Sequence, residues 1–184
     1  MSTLTKLITA EEYAAMRDLG RPTELVRGEI VEMNQPIPLH GYIALNVGAI
    51  LREFVRKNDL GRVFGHDSGV ITERDPDTVR GPDVWYASYD KIPRGKLPKK
   101  YLDAIPDIAI EVLSPYDRWS KVLGKIAEFL EAGVPVVCVL DPDEETAELF
   151  YGDHARDRKL SADEDLTFPE ILPGFSVKVA ELFE

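Results

Sequence analysis

Residues 106–140, PDIAIEVLSPYDRWSKVLGKIAEFLEAGVPVVCVL, predict a strand, a helix and a second strand in succession. The first strand is the short apolar run Asp107–Leu113, and the second is the almost wholly apolar run Pro135–Leu140. A strand with so few polar positions is typical of one that is covered on both faces. A unit of this length implies a right-handed crossover between two parallel strands. We therefore expect an α/β fold, in which a mixed β-sheet is flanked by helices on both faces.

The helix between these strands is bounded by Asp117, a candidate N-cap, and by Gly133, which accepts the left-handed conformation that ends many helices. At about 100° per residue one apolar stripe forms along it, which consists of Trp119, Val122, Ile126, Phe129 and Leu130. Three cations follow one border of this stripe, namely Arg118, Lys121 and Lys125. The stem of Lys125 is expected to lie on apolar surface, with its ammonium directed along the sheet. A lysine that reaches into solvent from a helix border gives the same pattern.

Glu111 is an acid inside the first strand. Because side chains alternate along a strand, Glu111 shares one face with the small Ala109, and the opposite face is wholly apolar. A buried carboxylate without a partner is costly, so Glu111 requires a cation, a metal ion or water. A salt bridge at the end of a strand is the simplest explanation, and a metal site is the functional one.

A second acid, Asp83, stands near the start of a strand predicted over residues 81–87, GPDVWYA. Two acids on strands and a nearby lysine are the groups that a metal-dependent phosphodiesterase requires. The carboxylates bind a hard divalent cation through oxygen. The cation polarises the phosphate and activates water, and the lysine orients that water or offsets the developing charge.

Several short motifs occur in a defined order along the chain, at Glu24–Glu29, Pro82-Asp83-Val84, Pro106–Pro115, Lys125 and Ala132–Pro135. This ordered set resembles the Uma2 (DUF820) family, a branch of the PD-(D/E)XK nuclease superfamily. The match covers the chain from about Thr9 to its end. The resemblance implies a restriction-endonuclease-like fold, a homodimer and an endonuclease activity.

The resemblance assigns roles to individual residues. Asp83 corresponds to the aspartate of the PD motif, and Glu111 corresponds to the acid of (D/E)XK. Leu113 stands where the superfamily has its lysine, which in Uma2 proteins has moved to the following helix, so Lys125 is the candidate. Asp107 also follows a proline, but four residues along a strand span about 13 Å, too far to share one ion with Glu111.

Further candidates lie around this core set. The resemblance includes Glu24 as a possible additional acid, and an exposed acid at a strand end is an equal alternative. His40 opens a helix predicted over His40–Asn58, where a polar contact at the helix start, such as one with phosphate, is favoured over a metal role. Lys121 replaces an acid that is common in the family and adds positive charge. A long irregular segment, Tyr89–Ala104, carries five cations that are either phosphate contacts or a solvated loop, namely Lys91, Arg94, Lys96, Lys99 and Lys100.

Charge and composition limit the function classes. The chain has 184 residues, which we expect to form one domain over residues 1–184, and a net charge of −11 that repels polyanions. Residues 141–184 carry 13 acids and 4 bases, net −9, whereas residues 1–140 carry 20 and 18, net −2. The acidity therefore lies away from the proposed site. A single buried Cys138 fits a reducing compartment, and no apolar run approaches the length of about 20 residues that spans a membrane.

The sequence therefore predicts a cytoplasmic, homodimeric endonuclease that hydrolyses phosphodiester bonds in DNA, with no membrane association. Asp83 and Glu111 would bind Mg²⁺ or Mn²⁺, Lys125 would assist the attacking water, and Glu24 would support them. The alternative is a protein with the nuclease fold that lacks activity and serves as a binding or regulatory module.

Overall fold

The structure, a computed structural model, describes residues 6–16, 20–65 and 68–184. The α-helices of these residues are α1 (Ala10–Ala15), α2 (Pro38–Lys57) and α3 (Trp119–Glu131), and a 3-10 helix covers Val179–Leu182. The strands are β1 (Thr23–Val26), β2 (Glu29–Glu32), β3 (Gly61–Gly65), β4 (Val70–Glu73), β5 (Thr78–Arg80), β6 (Val84–Ser88), β7 (Ile108–Val112), β8 (Val136–Asp141), β9 (Thr146–Tyr151), β10 (Arg158–Leu160), β11 (Asp165–Phe168) and β12 (Leu172–Lys178).

A mixed six-stranded sheet forms the centre of the fold, in the order β10-β9-β8-β7-β6-β3. Strands β7 and β8 are parallel and α3 connects them, whereas the neighbouring pairs are antiparallel. The predicted strand–helix–strand crossover and the α/β fold class are therefore confirmed. The parallel pair lies in the interior of the sheet, which explains why β8 is apolar at nearly every position.

Helices α2 and α3 cover opposite faces of this sheet. Ile108, Ile110 and Val112 pack with the buried side of α2, while Ala109 packs with α3. This is the alternation predicted for β7, and it places Glu111 on the α3 face. The fully buried residues of α2 recur at helical spacing, at Ile43, Val47, Leu51 and Val55.

A smaller antiparallel sheet, in the order β2-β1-β5-β4, lies beside α3, and Arg80 of β5 pairs with Glu128 of this helix. Strands β1 and β2 form a hairpin whose turn residues, Arg27 and Gly28, have φ angles of 50° and 78°. Positive φ at both turn positions matches the twist of the two strands. The hairpin holds β1 beside β5, and these two strands contribute Glu24 and Arg80 to the site.

Two local predictions about α3 are wrong. Its N-cap is Arg118 without a side-chain cap, because the Asp117 carboxylate instead accepts the N–H of Ser114 at 2.8 Å. Trp119 is 44% exposed, so the buried stripe begins one turn later, although its ring still contacts Phe150. Gly133 has the predicted left-handed conformation, with φ of 98°.

Candidate active site

The pairing of two strands brings Asp83 and Glu111 together. Strands β6 and β7 are antiparallel, with Val84 opposite Ile110. Strand β6 begins at Val84, later than the predicted strand over residues 81–87, so Asp83 lies just before it, while Glu111 lies within β7. The Asp83 carboxylate is fixed at this end of the sheet, since its Oδ2 accepts the backbone N–H of Val112 at 2.7 Å. The two carboxylates are close enough for Asp83 to raise the pKa of Glu111.

Lys125 reaches these acids from α3. Its Nζ lies 2.9 Å from Oε1 and 3.0 Å from Oε2 of Glu111, and it donates a hydrogen bond to Oε2. The same ammonium donates to the Gly81 carbonyl at 3.0 Å and lies 3.3 Å from Oε1 of Glu24. The Lys125 side chain is 17% exposed. Lys125 is thus a partly buried, paired cation, and the alternative of a lysine that extends into solvent is excluded.

Glu24 points into the site from β1 and is held on both of its oxygens. Oε1 accepts the N–H of Gly81 at 2.9 Å, and Oε2 accepts Nη1 of Arg80 at 2.8 Å. The residue is 5% exposed, so the alternative of an exposed acid is wrong. Arg80 also forms a bidentate ion pair with Glu128 of α3, in which Nε and Nη2 donate hydrogen bonds of 2.6 and 2.7 Å.

His40 lies at the edge of the site, in the first turn of α2. Its Nε2 is 3.2 Å from Oδ2 of Asp83, and its side chain is 14% exposed. The first turn of α2 therefore touches the same carboxylate that β7 holds through Val112.

The electrostatics of the site are those of three acids around one ammonium. Burial, together with the nearby Asp83 and Glu24, raises the pKa of Glu111 to about 8, although Lys125 opposes this rise. Burial also opposes ionisation of Glu24, but Lys125, the Gly81 N–H and Arg80 outweigh it and lower the pKa of Glu24. Burial disfavours the charged amine of Lys125, yet Glu111, Glu24 and Asp83 hold its pKa above the ordinary value. The ammonium is therefore charged, and Glu111 readily holds a proton.

One buried carboxylate oxygen in the site, Oε1 of Glu111, has no hydrogen bond to the part of the chain that the structure describes, although it lies 2.9 Å from the Lys125 ammonium. Such oxygens are the ligands that Mg²⁺ and Mn²⁺ prefer, and Mg²⁺ is commonly held by one or two carboxylates with water completing its shell. Among the described residues, no group of three or more His, Cys, Asp or Glu side chains is placed to hold a metal ion. Asp83 and Glu111 are therefore the two residues that would hold such an ion, with water as its remaining ligands.

Other acids and cations lie apart from this centre. Asp107 is at the opposite end of β7, where it accepts the N–H of Ser88 at 2.7 Å and pairs with Lys91 at 2.9 Å. This agrees with the distance argument against Asp107. Lys121 is exposed on α3, about one turn before Lys125.

The cationic loop leaves the sheet at Tyr89, the end of β6 opposite Asp83. Its Arg94 pairs with Asp59 at 2.5 Å, so Arg94 and Lys91 both have acidic partners. The remaining loop cations are exposed and form no ion pair with the described residues, and these are Lys96, Lys99 and Lys100.

A cavity of about 190 Å³ adjoins the site at His40 and Leu113. Its wall also contains Asp117, Asp141 and Asp143. Three aspartates make this cavity unfavourable for phosphate. Of these wall residues, His40 is therefore the one expected to contact a phosphate group.

The fold and the site define an α/β protein in which Asp83 before β6, Glu111 in β7 and Lys125 in α3 share one largely buried centre. The chain belongs to the Uma2 family, described as "Putative restriction endonuclease", whose profile matches residues 10–180. A solved structure from Anabaena variabilis, described as "a putative nuclease belonging to DUF820", has a TM-score of 0.81 with this chain. The two are 23% identical, and the alignment covers 96% of this chain and 97% of that one. No curated protein matches the chain.

Sequence reasoning missed Arg80 and Glu128. Arg80 stands three residues before Asp83, and Glu128 stands three residues after Lys125, on the same side of α3. Their only signal is this spacing from two predicted site residues. This spacing brings Arg80 and Glu128 into contact only because β5 and α3 are neighbours in the structure.

Proposed function

We propose that this protein is a metal-dependent endonuclease that hydrolyses phosphodiester bonds in DNA. The observation that carries the proposal is the proximity of two carboxylates, since Asp83, fixed on the N–H of Val112, lies close enough to raise the pKa of Glu111, which also pairs with Lys125. Membership of the Uma2 family supports the nuclease class.

In this proposal Asp83 and Glu111 hold Mg²⁺ or Mn²⁺. The bound ion would polarise the scissile phosphate and favour ionisation of water. The protein's contribution is to keep two carboxylates in place at the end of the sheet, since Asp83 is anchored on Val112 and Glu111 is part of β7.

Lys125 is proposed to orient the attacking water and to offset the negative charge that develops on the phosphate. Lys125 also contacts Gly81 and Glu24, and these contacts would hold it in place if Glu111 bound an ion. Glu24 is proposed to keep the ammonium charged and in position. Lys125 is therefore held at the site independently of Glu111.

DNA would approach through local cationic surface, because the whole protein is acidic. His40 and Lys121 are the proposed phosphate contacts nearest to the site, and the exposed loop lysines would contact a more distant part of the backbone. These loop residues are Lys96, Lys99 and Lys100. We further propose a homodimer in the cytoplasm. None of the helices within residues 6–16, 20–65 and 68–184 has the length and apolar composition that a transmembrane span requires.

The proposal is tested by incubating plasmid DNA with the protein in Mg²⁺ or Mn²⁺. We expect nicking or linearisation by the wild type, none in EDTA, and a loss of at least about 100-fold in rate for Lys125→Met. Lys57→Met, an exposed lysine at the end of α2, is the matched control and should keep the wild-type rate. Circular dichroism at the assay temperature verifies that each variant is folded.

The alternative is a nuclease-fold module without activity. It is favoured by the lack of a three-ligand group among the described residues and by the direct pairing of Lys125 with Glu111. A wild-type protein that cleaves neither double-stranded DNA, single-stranded DNA nor RNA in either metal would favour this alternative. Cleavage by Lys125→Met at the wild-type rate would instead reject the role of Lys125.

A further inference from the structure

Arg80 is a second partly buried cation beside the site, and the proposed hydrolysis makes no use of it. Its side chain is 14% exposed, less than that of Lys125. Its guanidinium makes three short bonds, one to Glu24 at 2.8 Å and two to Glu128 at 2.6 and 2.7 Å. A buried arginine with three carboxylate hydrogen bonds is fixed in orientation, since its planar fork matches carboxylate geometry.

These bonds connect three elements that together hold Lys125. Glu128 lies one helical turn after Lys125, so the ion pair with Arg80 fixes α3 against β5 within a turn of the ammonium. Gly81 follows Arg80 in the sequence. Its carbonyl accepts a hydrogen bond from the Lys125 ammonium, and its N–H donates a hydrogen bond to Glu24. The two-residue segment Arg80-Gly81 therefore contacts Lys125, Glu24 and Glu128.

Arg80 also determines how the charge of Lys125 is shared. Arg80 binds Oε2 of Glu24, so this carboxylate has a cation of its own. The Lys125 ammonium is then closer to Glu111, at 2.9 and 3.0 Å, than to Glu24, at 3.3 Å. Without the guanidinium, Glu24 would attract the ammonium more strongly and draw it away from Glu111.

We propose that Arg80 is a positioning residue whose bonds to Glu128 and Glu24 hold the Lys125 ammonium against Glu111. The placement of Lys125 follows from the contacts alone. Its consequence for cleavage rests on the proposed function.

A purely structural role for Arg80 is the competing explanation. In that case the Arg80 and Glu128 pair would attach α3 to the small sheet and lower overall stability when broken, without any selective effect on Lys125. The local reactivity of Lys125 distinguishes the two roles, because it is measured in the folded protein and requires no nuclease activity.

The experiment compares Arg80→Gln, Arg80→Lys and Glu128→Gln with the wild type by limited acetylation of the native protein and mass spectrometry. We expect Lys125 to become acetylated about tenfold faster or more in all three variants, because at least one charge-assisted hydrogen bond of the network is lost. Arg80→Lys retains the positive charge but cannot make the bidentate guanidinium contact with Glu128. This variant replaces Arg80→Gln in the comparison if Arg80→Gln does not fold. Arg74→Gln removes an arginine that binds Glu11, Asp77 and Asp103 away from the site, and it should leave Lys125 acetylation unchanged.

Steady-state cleavage kinetics add the second measurement. We expect a decrease of about 100-fold in kcat with little change in KM for Arg80→Gln, as displacement of a catalytic group by about 1 Å produces. An unchanged rate of Lys125 acetylation in the folded Arg80 and Glu128 variants would overturn the inference, whatever the activity. Faster acetylation in a protein whose wild type cleaves nothing would uphold the positioning role and overturn the proposed function.

Discussion

Replacing Glu111 by Gln should make the protein more stable than the wild type at neutral and alkaline pH. The Glu111 side chain is 13% exposed and faces Asp83 and Glu24, so its ionised form is disfavoured even with Lys125 nearby. Gln has nearly the same volume and carries no charge. The substitution therefore removes the titration of this position and preserves the packing between β7 and α3.

The sign and size of the effect follow from linkage. The pKa of Glu111 rises from 4.5 to about 8 on folding, so between these values the folded protein holds a proton that the unfolded chain has released. The contribution of Glu111 to the unfolding free energy is fully present below pH 4.5 and is lost as the pH rises toward 8. Within this window the unfolding free energy of the wild type falls by about 1 kcal/mol per pH unit because of Glu111. The unfolding free energy of Glu111→Gln minus that of the wild type should therefore rise by about 3 kcal/mol between pH 5 and pH 8.

Urea unfolding in EDTA, followed by far-ultraviolet circular dichroism at one-unit pH steps, measures this difference. Other titrating groups occur in both proteins, so the difference between the two unfolding free energies isolates position 111. Glu29→Gln, an exposed acid-to-amide change on β2, controls for the loss of one negative charge. A difference between Glu111→Gln and the wild type that stays constant from pH 5 to pH 8 would refute the reasoning.

Three further predictions follow from the site and its surroundings. Mg²⁺ or Mn²⁺ should raise the melting temperature in a thermal shift assay, because a cation relieves the repulsion between Asp83 and Glu111; an equal rise in the Asp83→Asn, Glu111→Gln double variant would exclude this metal site. Cys138 should react with a thiol reagent only when the protein unfolds, since burial raises its pKa to about 12 and removes access; rapid labelling of the native protein would contradict this. Replacing the exposed loop lysines by Ala should weaken DNA binding in fluorescence anisotropy and flatten its salt dependence by up to about three phosphate contacts; identical binding at every salt concentration would identify a solvated loop. These lysines are Lys96, Lys99 and Lys100.

The sequence predicted the centre of the fold because its signals there are local and periodic. The apolar runs of β7 and β8, the stripe of α3 and Gly133 each act within a few residues, and together they specify a parallel crossover. The C-terminal strands were not predicted as strands. They are short and contain lysines, acids or a Pro-Gly pair, and they are strands because of their antiparallel partners. These are Arg158–Leu160, Asp165–Phe168 and Leu172–Lys178.

Only those site residues could be predicted that strand alternation or the family resemblance indicates individually. Alternation assigned Glu111 to the α3 face, and the resemblance selected Asp83 and Lys125. Arg80 and Glu128 are 48 positions apart, and nothing local indicates that they meet. Their contact depends on how α3 lies against the small sheet, which is a property of the tertiary structure.

Crystals soaked in Mn²⁺ and measured for anomalous scattering test the central claim most directly. The account predicts one anomalous peak at about 2 Å from a carboxylate oxygen of Asp83 and from one of Glu111. The same soak of the Asp83→Asn, Glu111→Gln double variant should show no peak at this position. A well-ordered wild-type crystal without a peak between Asp83 and Glu111, at Mn²⁺ concentrations that support cleavage, would contradict the account.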